Sequence, residues 1–341
     1  MKNFFFTYCF ILLSCIKVFG QSHDVVSEFE QIDVFARMAP KNIETIDNLV
    51  TYLSEKATTD IEKARLIYVW LADNISYDER AYNSNSIGDN SAQTVFKTKK
   101  AVCAGFANLY TEIGGKMGLE IVTVAGVAKG YEFEDDLTED LDESVNHAWN
   151  LIKINNEWRV FDATWGEGYG SSNKKGKLQM TKKFNANWFN VHPNAAIFTH
   201  LPQDFTKQYI NPSISYINYL ALPYLTPGDF NTGWITPEEI LVKMNEKKKL
   251  DLPNIYSEFF DLNLIAPKER ILKKGKPHEF SLKSKDVQKV FIYVNEEEII
   301  PFIFEGESFK YTLNTKTTGS YNVVIMDHNN DLYTIFEYTI E

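Results

Sequence analysis

Cysteine is scarce in this chain, and the positions of the few present narrow what a thiol can do here. Three occur in 341 residues, and two of them, Cys9 and Cys15, fall in the opening stretch "MKNFFFTYCFILLSCIKVFGQS". Lys2, the apolar run from Phe4 to Ile16 and the small-residue pattern Val18-Phe19-Gly20 read as a secretory signal peptide, too short and wrongly flanked for a membrane span. Cleavage after Gly20 leaves Cys103 as the single thiol, so an internal disulfide is excluded. Such a thiol is either buried and inert or exposed because its reactivity is used. Leu12-Leu13-Ser14-Cys15 loosely resembles a lipoprotein box that would leave Cys15 lipidated. Leucine before the small residue fits that box poorly, and the expectation is plain export to a periplasm, cell envelope or medium.

Long hydrophobic runs are lacking as well. Beyond the leader no segment reaches the roughly 18 uninterrupted apolar residues of a transmembrane helix, so no membrane span is expected. Positive charge is also in deficit. Taking Lys2 and Lys17 away with the leader leaves 33 of the 35 basic residues against 46 acidic ones, a net of −13. That balance argues against nucleic acid or anionic lipid as the main partner. There is no internal repeat and no low-complexity tract. Aromatic residues, by contrast, make up 14% of the chain, which describes a packed globular protein long enough for two cores.

Helical spacing dominates first. "SEFEQIDVFARMA" and "IETIDNLVTYLSEKA" carry apolar residues at helical steps, and "TTDIEKARLIYVWLADNI" opens on a capping box, Thr59 with Glu62, before placing Ile61, Ile67, Trp70 and Leu71 along one face. An Asn- and Ser-rich loop follows, then "KKAVCAGFANLYTEIGGKMGL", a helix that begins at Cys103 and is stopped by Gly118. Beyond it the period becomes two. "EIVTVAGVAKGY", "AWNLIKI" and "EWRVFDAT" alternate, with Asn155-Asn156 as the turn of a hairpin. A cysteine-bearing helix packed on an antiparallel sheet is an α+β core. Residues 21–210 are read as this domain, 211–262 as a connector packing on it, and 263–341, with short alternating strands about ten residues apart, as a β-sandwich of Ig-like type.

Three short pieces hold the chemistry: Cys103 in "AVCAGFAN" at a helix start, His147 in "NHAWN" at a strand start, and Asp162 in "FDATWG" at the end of the next strand. If the two strands pair, Asp162 lies nearly opposite His147 and can hold one ring nitrogen while the other faces the thiol. A free thiol near pKa 8.5 is mostly protonated at neutral pH, and a helix N-terminus with an adjacent imidazolium lowers that value. Gly105 permits close approach of substrate or backbone. The amides of the helix start, that of Ala104 among them, are placed to receive an oxyanion.

In this order the three pieces resemble the transglutaminase-like superfamily, whose core is similar to that of papain-type cysteine peptidases. "ISYDERAY" and "NWFNVHPNAAIFTHLPQD" are similar to the branch that includes the kyphoscoliosis peptidase. The resemblance spans about Phe29 to Ile210. It implies a papain-like fold, Cys103 as nucleophile, His147 as base, Asp162 as its orienting acid, and acyl transfer from an amide through a thioester. No cofactor is implied, although calcium is a minor alternative because some animal transglutaminases need it. The expected substrate is a protein or peptide, with hydrolysis favoured over cross-linking. The rival reading is a catalytically silent binding or scaffold protein of the cell envelope, and an acceptor site built for envelope glycan or peptide is a third. Oligomeric state is not legible.

Other candidates carry less. Gln93, in a loop able to fold over the site, is an oxyanion donor by analogy with papain-type enzymes, though its spacing is unmatched. Trp149 and Trp165 read as core or cleft walls. His192 and His200 read as structural or rim residues, since no third metal ligand stands near them. The run from Tyr131 to Asn146 carries eight acids and is either a solvated loop or a mouth that favours basic substrates.

Overall fold

The computed structural model describes residues 29–130, 133, 140–246, 251–257, 259–315 and 317–341. The leader, with Cys9 and Cys15, and most of the acidic run, 131–132 and 134–139, lie outside the described residues.

Three helices, Glu30–Arg37, Ile46–Ser54 and Asp60–Asn74, open the described chain. Thr59 and Glu62 close the expected capping box at the third. Its burial exceeds the single face expected of it, because every residue from Ala64 to Ala72 is buried. A helix apolar nearly all round is an interior helix, and the one charge it brings inside, Arg65, is matched. Arg65 Nε and Nη2 donate to the two oxygens of Asp33, each at 2.7 Å. Its guanidinium also lies over the Phe189 ring at 4.8 Å.

The helix Cys103–Lys116 runs beside this one and is ended by Gly118 at φ +81°. It packs on a four-stranded antiparallel sheet ordered Glu157–Phe161, His147–Ile154, Ile121–Ala128, His200–Pro202. Asn155 and Asn156 turn the hairpin at φ +50° and +66°, the left-handed values of a two-residue turn. Buried Asn150 ties sheet to helix, its Nδ2 donating to the Ala107 carbonyl at 3.0 Å and to Thr111 Oγ1 at 2.9 Å. The fold is α+β, a helix layer on an antiparallel sheet.

The fourth strand approaches the third very closely at Gly126, which pairs with Pro202 on one side and His147 on the other. A Cβ added there would lie 2.1 Å from the Leu201 carbonyl oxygen and 2.6 Å from the Trp149 ring. Gly105, read as a point of close approach for substrate or backbone, is a close-packed position whose nearest neighbours are side chains. Its missing Cβ would meet Ala101 at 2.6 Å and Val95 at 2.8 Å.

Residues 216–245 contribute the helices Tyr216–Leu220, Pro227–Asn231 and Pro237–Asn245. Their buried residues form one apolar cluster with Val127, Phe198 and Leu201 of the first unit and with the last eighty residues. Those residues make two facing sheets. One is ordered Asn263–Ile265, Pro277–Lys283, Ser308–Asn314, Ile303–Glu305; the other Ile271–Leu272, Leu332–Ile340, Gly319–Asp327, Val287–Val294, Glu298–Pro301. Phe280 of the first meets Tyr338 of the second, ring centroids 5.7 Å apart. The second sheet also takes in Asn254–Ile255, from the stretch read as connector, against Phe336 and Glu337.

Replacing Arg65 by Met removes both short bonds to the buried Asp33 carboxylate and leaves it only the longer ion pair with Arg37 at 4.0 Å. The expected loss is roughly 3–5 kcal/mol of unfolding free energy, read as a lower urea midpoint with unchanged slope. The double variant Arg65→Met with Asp33→Leu should recover most of it.

Candidate active site

Local chemistry places each of the three side chains. Val102 has extended backbone and its carbonyl accepts from the Gly105 and Phe106 amides, so Cys103 is the first helical residue. The Ala104 amide lies in the same first turn, where no intrahelical acceptor exists. His147 is the first residue of its strand. Asp162 follows directly on the strand Glu157–Phe161 and caps the helix Ala163–Glu167, its Oδ1 accepting from the Thr164 and Trp165 amides at 2.8 and 3.1 Å. Phe161 pairs with Asn150, so one step on Asp162 falls against Trp149, a diagonal offset from His147 rather than a position opposite it. The turn into the capped helix brings the carboxylate across that offset.

The structure brings Cys103, His147 and Asp162 together. His147 Nε2 is 2.7 Å from Asp162 Oδ2, which leaves Nδ1 for the hydrogen bond between His147 and the Cys103 sulfur. The Ala148 amide also donates to that sulfur. Burial alone would raise the thiol, but hydrogen bonding to His147 and the charge of its imidazolium outweigh it and hold Cys103 below the ordinary thiol value. Burial likewise opposes charge on His147, and the Asp162 carboxylate with the sulfur overcomes it, pushing the imidazole up to about 10. Asp162 has no exposed surface. Burial would raise it, yet His147 and then His200 hold it well below the usual carboxylate range.

His200, read as structural or rim, belongs to this group. Its Nε2 is 3.1 Å from the same Asp162 Oδ2, and its Nδ1 is 2.9 Å from Thr199 Oγ1. The ring is buried against Trp149, Trp165 and Trp188, and that burial keeps it below its ordinary value, hence neutral near pH 7. No spacing signal announced it: only the pairing of His200–Pro202 with Gly126–Ala128 carries residue 200 to the edge of a site built around residue 147. His147, Asp162 and His200 offer atoms within 4.8 Å of one another. That donor set suits a divalent cation, but hydrogen bonds already join its members.

The remaining candidates divide. Trp149 is buried and Trp165 half-buried, with ring centroids 6.0 and 5.4 Å from His147, so both wall the site. Gln93 is exposed on the helix Ala92–Thr98, whose buried residues are Ala92, Val95 and Phe96. His192 caps the helix Pro193–Ala196 through Nδ1. Two residues went unnoticed in the sequence. Tyr77 lies near the thiol, its hydroxyl pushed up by burial and by Cys103. Buried Glu167 accepts the Tyr77 amide at 3.1 Å, and burial pushes it up to about 7.

The three side chains form a thiol, imidazole and buried carboxylate group at a helix N-terminus. Residues 47–163 match the family profile described as Transglutaminase-like superfamily. The human kyphoscoliosis peptidase is 26% identical over 247 residues, covering 72% of this chain and 36% of that protein. Cytokinesis protein 3 of Schizosaccharomyces pombe is 25% identical over 182 residues, covering 53% and 20%. Hillarin of Drosophila melanogaster is 22% identical over 214 residues, covering 60% and 26%. The chain thus spans about a third or less of the length of these relatives. A crystal structure described as that of a TGase matches at 21% identity, covering 46% of this chain and 42% of that one, with a TM-score of 0.29.

Folded His147 holds its proton more tightly than an unfolded histidine, so its contribution to stability is complete below about pH 6.5 and is lost as pH climbs toward 10. Depressed Asp162 contributes above its unfolded value of 3.8 and loses that contribution on acidification. Iodoacetamide labelling of Cys103, followed by peptide mass, should show a midpoint below that of an ordinary thiol. In His147→Ala the midpoint should return to about 8.5 or higher.

Proposed function

We propose that this chain is a thiol enzyme that cleaves amide bonds of proteins or peptides, with Cys103 as nucleophile, His147 as acid and base, and Asp162 as the residue that orients and charges His147. The observation that carries this reading is the Asp162 Oδ2 to His147 Nε2 bond at 2.7 Å, because it turns the other ring nitrogen to the sulfur. The thiolate attacks the amide carbonyl carbon, forming a C–S bond and an oxyanion that the Ala104 amide is placed to stabilise. His147 gives its Nδ1 proton to the leaving nitrogen as the C–N bond breaks, and a thioester remains. Neutral His147 then takes a proton from water, whose oxygen attacks the thioester. The C–S bond breaks, and thiolate and imidazolium are restored.

Hydrolysis is preferred to cross-linking because a relative covering most of this chain is named a peptidase. The stretch read as a signal peptide supports a reaction outside the cytoplasm. N-terminal sequencing of the exported protein should begin at Gln21.

The test is incubation of exported protein with a denatured protein mixture, in which new N-termini and deamidated glutamines are scored by mass spectrometry. Incorporation of a fluorescent primary amine is scored in parallel. New N-termini should appear and vanish in Cys103→Ala, and Asp162→Asn should slow cleavage by roughly 10²-fold or more. Amine incorporation without new termini would establish cross-linking. Absence of all three in a protein whose Cys103 is a thiolate would favour the silent scaffold.

A further inference from the structure

Asp162 Oδ2 is the acceptor for two imidazoles at once, His147 at 2.7 Å and His200 at 3.1 Å. Its other oxygen is taken by the Thr164 and Trp165 amides. Four donors thus meet the four lone-pair directions of one carboxylate. Because the two amides already fix the plane of the group, His200 is not needed to orient it. What His200 adds is competition for Oδ2. A carboxylate oxygen that serves a second N–H has less charge to offer the first, and in a dry site that difference is felt strongly.

We propose that His200 is a positioning residue that shares Asp162 Oδ2 with His147 and so limits how tightly the carboxylate holds the imidazolium. The idea rests on the thiol-enzyme reading above. The cycle requires His147 to give its proton to a leaving amine and then take one from water, and an imidazolium clamped without competition is a reluctant donor. Neutrality of His200 matters to the device. A second positive charge, at a ring-centroid distance of 5.5 Å from His147, would repel the imidazolium rather than moderate it. The titratable groups that face the His200 ring are Asp162 and His147; three tryptophans cover the rest.

The test compares wild type with His200→Phe, which keeps a ring in the tryptophan cage but no donor, and with His200→Gln, which returns an N–H. The readout is the pH profile of Cys103 alkylation, with near-ultraviolet circular dichroism as the check of folding. In His200→Phe the imidazolium should be held harder. The thiolate should therefore persist to lower pH, its midpoint falling by about one unit, tenfold in thiolate fraction. Peptide cleavage should slow, and His200→Gln should return both toward wild type. An unchanged midpoint in folded His200→Phe would overturn the proposal. So would an upward shift, because that would mean His200 is needed to hold Asp162 in place.

If His200→Phe does not fold, ¹⁵N NMR of histidine in the wild type decides. His200 should be neutral with its proton on Nε2 while His147 is charged, and a proton on Nδ1 with Nε2 bare would refute the sharing. Failure of the underlying reading looks different: Cys103 in the wild type would then alkylate as an ordinary thiol, indifferent to His147→Ala.

Discussion

The rest of the site depends on one buried anion. Asp162 has no solvent to stabilise its charge, and an isolated carboxylate in such surroundings would take up a proton. It stays ionised because two backbone amides and two imidazoles surround it. Its charge in turn allows His147 to be an imidazolium inside an aromatic pocket, and the imidazolium holds Cys103 below the ordinary thiol value despite burial. Burial disfavours charge on all three groups, and it is opposed only through their partners.

The fold supplies this anion with donors from separate places. Thr164 and Trp165 come from the helix that Asp162 itself caps. His147 and His200 come from two strands that flank the third, Ile121–Ala128. Gly126 is the point where both neighbours meet it, with His147 on one side and Pro202 on the other. Any side chain there would push the His200 strand away by contact with the Leu201 carbonyl. The interior helix Asp60–Asn74 backs the arrangement from behind: Tyr68 donates to the Asn185 carbonyl at 2.7 Å, and the Asn185 amide donates to the Gly166 carbonyl at 2.9 Å.

The tryptophans have a double use that neither burial nor hydropathy alone would suggest. Trp149, Trp165 and Trp188 exclude water from His200, which keeps that ring neutral, while Trp149 and Trp165 also border His147, which is charged. The same apolar wall therefore surrounds two histidines in opposite states. The difference lies in their second ring nitrogen, which meets a hydroxyl in His200 and the thiol of Cys103 in His147.

The sequence by itself determined the elements and the central triad. The Thr59–Glu62 cap, the Asn155-Asn156 turn, the helix from Cys103 to Gly118 and the three pieces around Cys103, His147 and Asp162 are all local signals, written in residues a few positions apart. Only the tertiary structure decided the rest. His200 joins the site through a strand pairing between residues far apart in the chain, Gln93 lies exposed because its helix buries Ala92, Val95 and Phe96, and Gly105 sits where a Cβ would meet Ala101 and Val95. Burial and strand neighbours are properties of the whole assembly, and no short window of sequence carries them.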